Sequence, residues 1–198
     1  SNDYRAAELS TIEGVGGGKA WISLYKSVNG GDTWRPMLLG GVFKATGNQS
    51  PMQAYGHIPA KRDYDFLEMQ RFMERHGITR FAMNPNFPVN TLLLMRGAIA
   101  AEALDCSEPY IEAMMAGMWE SGLKLDDPAV WAETVSAAGL DAAALGAAAQ
   151  DPDNKARLLA NTEAAVARGV FGIPSFFLGD QLYFGKDRLR DVVEAAGA

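Results

Sequence analysis

The chain has 198 residues, an apolar fraction of 48% and a formal net charge of −6. That length suits one large domain or a small domain carrying an insertion, and the composition is that of a globular protein able to bury a sizeable core. The acidic balance argues against nucleic-acid and anionic-membrane partners, and no apolar run approaches the ~18 residues of a membrane span or follows a basic leader segment.

Residues 1–33 are punctuated by Gly14, Gly16, Gly17 and Gly18 and then by Gly30-Gly31-Asp32. Between them, residues 20–25 fit a strand or an amphipathic helix. Residues 34–39 read as a strand whose Pro36 belongs at an edge or an early position. Residues 40–59, rich in Gly, Asn, Ser and Pro, read as a long loop, and loops of that length are functional or mobile. From Lys61 to about Arg168 the pattern is helical. Gly77 suits the position just past a helix end, and Asn90-Thr91 suits the start of the next helix. A further helix runs from about Pro109 through Trp119, and the Ala-rich residues 137–149 form a short helix or helical turn. Asp127-Pro128 and Asp151-Pro152 each pair an acidic cap with proline in the first helical turn.

The tail returns to strand, strand and helix. It begins with Gly172-Ile173-Pro174, continues through Ser175-Phe176-Phe177-Leu178, turns at Gly179-Asp180 and reaches Asp187 near the start of the last helix. Neither end of the chain makes a complete sheet alone, so the two are expected to pair across the helical block. Proline cannot donate to a ladder and belongs at the opening of its strand. Two readings of Ile173-Pro174 stand side by side: a plain strand start, or a cis bond that leaves the Ile173 backbone groups free for a ligand.

Chemistry is narrowed by what the chain lacks. One cysteine, Cys106, and two histidines, His57 and His76, exclude an internal disulfide, a CxxC pair and a four-thiolate zinc site, and leave no metal site to expect. Such cysteine usage points to a reducing, cytoplasmic setting. The glycines at 14–18 match neither the dinucleotide fingerprint nor the P-loop, and no Gly-x-Ser-x-Gly elbow is present. A better constellation joins Lys44, Asn48 and Lys61 with Ile173 and Asp187. Lysines suit carboxylates, and an aspartate at a helix start suits an ammonium group.

Four ordered blocks carry a family resemblance. They are residues 34–48, opening Trp34-Arg35-Pro36 and closing Lys44-Ala45-Thr46-Gly47-Asn48; residues 59–64, Pro59-Ala60-Lys61-Arg62-Asp63-Tyr64; residues 87–93, with Phe87-Pro88-Val89-Asn90-Thr91; and the tail from Val170 to Leu189. Together they resemble the 2-hydroxychromene-2-carboxylate isomerases, relatives of kappa-class glutathione transferases and, more distantly, of periplasmic disulfide oxidoreductases. The resemblance implies an α/β, thioredoxin-like fold with a large all-helical insertion. Residues 1–61 and 168–198 would form the thioredoxin-like domain, and residues 62–167 the insertion.

It also implies glutathione as cofactor, a small aromatic carboxylate as substrate and a homodimer. Ile173 beside a cis Pro174 would bind the cysteinyl backbone, Asp187 the γ-glutamyl end, and Lys44, Asn48, Lys61 and Lys186 would line the site. The implied reaction is cis/trans isomerisation of an aromatic α-keto acid by reversible thiol addition. The family's thiol-activating serine maps to Ser10, with Thr11 the alternative, but Ile12-Glu13 follows where proline and an aromatic stand in the family. A kappa-like transferase and a non-catalytic thioredoxin-like binding protein are the other readings compatible with this N-terminus.

Overall fold

The computed structural model describes residues 24–27 and 33–196. Strands β1 (Leu24–Ser27) and β2 (Thr33–Pro36) form an antiparallel pair in which Tyr25 faces Arg35. Strands β3 (Ser175–Leu178) and β4 (Gln181–Phe184) form a second antiparallel pair, with Phe176 opposite Tyr183. The pairs join because β1 runs parallel to β3, Lys26 beside Phe176, giving the sheet order β2-β1-β3-β4. The two ends of the chain therefore complete one sheet, as the sequence leads one to expect. Gly179, at φ 60°, supplies the tight turn between β3 and β4.

Helices fill the chain between β2 and β3. They are α1 (Leu39–Thr46), α2 (Pro51–Tyr55), α3 (Pro59–His76), α4 (Leu92–Ala103), α5 (Ser107–Trp119), α6 (Pro128–Ala137), α7 (Ala142–Gln150) and α8 (Pro152–Ala167). A 3₁₀ turn (Lys186–Arg188) and α9 (Leu189–Ala196) follow the second hairpin. None of these helices is long and apolar enough to cross a membrane.

Several helix boundaries follow from side-chain chemistry. Asp127 accepts from the Ala129 amide at 2.9 Å, and Asp151 from the Asp153 amide at 2.8 Å, each just before a proline at a helix start. The Ala-rich stretch divides: α6 ends at Ala137, Gly139 turns the chain at φ 77°, and Asp141 caps α7 through the Ala144 amide.

Residues 40–59 are not a loop, and the strand expected over 34–39 ends at Pro36. Leu39 opens α1 in spite of Gly40 and Gly41, because Val42 is buried in the core beneath the sheet. Helical propensity lost at each glycine is about 1 kcal/mol, and burying Val42 returns about 1.5–3 kcal/mol. Gly41 also permits the close approach of α8, since a Cβ there would stand 3.0 Å from the Thr162 methyl carbon. For α2 the start signal is local: Ser50 and Gln53 form a capping box, with Pro51 at the first helical position.

Alternation along β3 gives the sheet two faces. Phe177 packs with Met37, Val42, Ala165 and Val170, whereas Phe176 packs with Leu189 and Val192. A larger core lies within the helical block, where α4 contributes Leu94, Met95, Ala98 and Ile99 and meets Tyr110, Met114, Trp119 and Trp131. The helix α4 is apolar on nearly every side, as a central helix must be.

Candidate functional site

Two elements meet at the opening of β3. The Ile173–Pro174 peptide bond is cis, as is Phe87–Pro88. Around it, the carbonyls of the turn are taken one by one. Asn48, just past the end of α1, donates its Nδ2 to the Phe171 carbonyl at 2.7 Å. Ser175 donates its Oγ to the Gly172 carbonyl at 2.7 Å. The Gly185 amide donates to the Pro174 carbonyl at 2.9 Å. Among the described residues, the half-buried Ile173 has no hydrogen-bond partner for its own N–H or carbonyl. A residue with both backbone groups unpaired beside an ordered turn can accept one residue of an extended peptide, N–H to carbonyl and carbonyl to N–H.

Gly185 links this turn to the next charged pair. At φ 95° it leads into the 3₁₀ turn, where Lys186 and Asp187 are hydrogen-bonded to each other. Lys186 lies over the Phe72 ring, 4.7 Å from its centroid, and Asp187 is 76% exposed. Phe171 and Phe184 pack tilted against each other at 4.5 Å, flanking Gly172.

The residues singled out in the sequence divide accordingly. Asn48, Ile173, Pro174, Lys186 and Asp187 belong to one connected edge. Lys61 does not join it: its ammonium sits 3.4 Å from Asp65 and 4.7 Å from the centroid of the Tyr55 ring. Lys44 is exposed in the last turn of α1, and among the described residues no hydrogen bond or ion pair joins it to the Ile173 turn. Ser10, Thr11 and the glycines at 14–18 lie outside the described residues.

Two contributors escaped the sequence reading, Ser175 and the Phe171 carbonyl. Their only sequence signal is a small hydroxyl residue immediately after the strand-opening proline.

The thiol present in the chain stands elsewhere. Cys106 immediately precedes α5 and packs against the helical core. Burial, and secondarily the Asp105 carboxylate, push its thiol pKa up, so it is a poorer nucleophile than an ordinary cysteine.

A parallel β1–β3 pair, an antiparallel strand on either side and a cis proline opening β3 define a thioredoxin-fold protein, here with helices inserted between the two hairpins. Residues 33–197 match the DSBA-like thioredoxin domain. Within that fold, the chain belongs to the 2-hydroxychromene-2-carboxylate isomerase family. The enzyme of that name from Pseudomonas sp. (strain C18) is 30% identical over 155 residues, covering 77% of this chain and 70% of that protein. Its counterpart from Pseudomonas putida is also 30% identical over 155 residues, covering 73% of its own length.

A solved structure of 2-hydroxychromene-2-carboxylate isomerase superposes with a TM-score of 0.70 at 26% identity, over 82% of this chain and 78% of that one. A putative protein disulfide isomerase from Nitrosomonas europaea shares the fold alone, with a TM-score of 0.52 and 15% identity over 87% of this chain and 95% of that one.

Proposed function

We propose that the protein is a glutathione-dependent cis/trans isomerase acting on an aromatic α-keto acid. The observation that carries this reading is the Ile173 backbone, whose N–H and carbonyl have no partner among the described residues, in a chain whose relatives are named 2-hydroxychromene-2-carboxylate isomerase. Glutathione fits what this edge offers. It is a short peptide with one extended cysteinyl unit, two carboxylates and an α-ammonium group. Ile173 would hold the cysteinyl backbone, and the exposed Asp187 would receive the ammonium. Lys186, beside it, supplies positive charge for a carboxylate, and Lys44 extends that charge along α1.

When bound, glutathione supplies a thiol whose reversible addition to a conjugated double bond lets that bond rotate before the thiol leaves. The chain's own residues bind and orient. Ile173 fixes the peptide in register, and Asn48 and the Gly185 amide keep the turn from rearranging as the ligand docks. The inserted thiol makes Cys106 unnecessary to the chemistry, in keeping with its place in the helical core.

Calorimetric titration with glutathione tests the binding half of the proposal, and absorbance-monitored conversion of 2-hydroxychromene-2-carboxylate tests the rest. Saturable binding and turnover that depends on added glutathione are expected. No binding at millimolar glutathione would sink the reading, whereas turnover of a chlorodinitrobenzene-type electrophile without isomerisation would replace it with a transferase.

A further inference from the structure

Ser175 is 1% exposed, one of the few polar side chains buried among the described residues. As the first residue of β3 it is paired on both sides, with Tyr25 of β1 and Phe184 of β4, so its backbone is held by the sheet. From this fixed base its hydroxyl reaches back across Pro174 and Ile173 to the Gly172 carbonyl, 2.7 Å away.

The geometry of the peptide unit gives that hydrogen bond a second effect. The Gly172 carbonyl and the Ile173 N–H belong to one planar trans peptide, and in such a unit the two groups point in opposite directions. Fixing the carbonyl toward Ser175 therefore fixes the N–H away from it. A glycine on the carbonyl side leaves this peptide plane free to rotate unless something holds it. Asn48 secures the preceding plane through the Phe171 carbonyl at 2.7 Å, but it makes no hydrogen bond to the Gly172–Ile173 unit.

We propose that Ser175 is a positioning residue whose buried hydroxyl sets the direction of the Ile173 N–H toward a peptide ligand. Resting on the function proposed above, the inference takes that ligand to be the cysteinyl unit of glutathione. Ser175 itself touches no ligand; it acts through the peptide plane of Gly172.

The test uses the full chain labelled with ¹⁵N, as wild type, Ser175→Ala and Ser175→Thr, with glutathione as the probe. Two readouts are taken: glutathione affinity by calorimetry, and relaxation of the Ile173 amide without ligand. In Ser175→Ala the affinity is expected to fall on the order of five- to tenfold, the worth of one hydrogen bond. The free Ile173 amide should broaden as its peptide plane samples a second orientation. Ser175→Thr, which keeps the hydroxyl, should restore both.

An unaltered Ile173 amide in Ser175→Ala, or a Ser175→Thr that behaves like Ser175→Ala, overturns the proposal. If wild type itself fails to bind glutathione, the function proposed above falls, and the positioning role is still decided by the ligand-free amide. Should Ser175→Ala not fold, Ser175→Cys, which preserves bulk but donates weakly, takes its place in the same comparison.

Discussion

The helical block and the sheet are held together by different means. In the block, one core extends from Leu94 on α4 through Tyr110, Trp119 and Trp131 to Leu158 on α8. The sheet rests on two small groups, Met37, Val42, Ala165, Val170 and Phe177 on one face and Phe176, Leu189 and Val192 on the other. Each large buried side chain contributes about 1.5–3 kcal/mol, so packing dominates the block. At the opening of β3, by contrast, order comes from hydrogen bonds to successive carbonyls. If the opening of β3 binds glutathione as proposed, stability and recognition are lodged in separate regions, and substitutions in the two should fail in different ways.

Gly97→Ala should do the most damage. A Cβ at Gly97 would stand 2.1 Å from the Tyr110 hydroxyl. That hydroxyl donates to the Leu94 carbonyl at 2.9 Å and accepts from the Trp131 indole N–H at 3.0 Å, all in buried surroundings. Alanine gains about 1 kcal/mol of helix propensity. Overpacking costs about 1–3 kcal/mol, and displacing a buried hydroxyl from its partners costs about 1–3 kcal/mol more. The net expectation is a loss of about 1–5 kcal/mol in urea unfolding. Molecules that remain folded should bind glutathione as wild type does. An unchanged unfolding midpoint would refute the packing described for α4 and α5.

Gly172→Ala should show the opposite profile. Its Cβ would come within 2.9 Å of the Phe184 ring, which is 41% exposed and has room to swing toward solvent. The stability cost is then about 1 kcal/mol. Gly172, however, forms the peptide unit that carries the Ile173 N–H, so glutathione affinity should fall by roughly tenfold. Paired calorimetry and urea unfolding separate the two effects. A large stability loss with intact affinity would show that stability and recognition are not divided between the regions.

How much of this was legible in the sequence depended on whether the deciding interaction was local. Asp127-Pro128 and Asp151-Pro152 cap their own helices, so the boundaries could be read directly. The same kind of signal, Ser50-Pro51 with Gln53, marked α2 and was obscured by the surrounding Gly, Asn and Pro. Helix α1 was not legible because the packing of Val42 and the contact of Gly41 with Thr162 are made by distant chain.

At the site, the strand-opening Pro174 could be seen, but its supports could not. Asn48 meets the Phe171 carbonyl 123 residues away, and nothing local in either segment announces the contact. Lys61 shows the converse: its residue type suits an anion, yet Asp65, one turn further along the same helix, pairs with it.

Cys106 provides the smallest effect, because it places a reactive atom in the region assigned to stability. Burial first and Asp105 second raise its thiol pKa. Iodoacetamide should therefore alkylate it more slowly at neutral pH than an unfolded cysteine, with the rate rising only on the alkaline side of the ordinary thiol range. The folded state holds this proton more tightly than the unfolded state does. Its contribution to stability is accordingly complete below the ordinary thiol pKa and lost as pH rises through the raised value. Replacing the thiol in Cys106→Ser should leave glutathione affinity and glutathione-dependent turnover unchanged. Rapid alkylation at neutral pH that abolishes turnover would instead place Cys106 in the chemistry, and the division between the two regions would no longer hold.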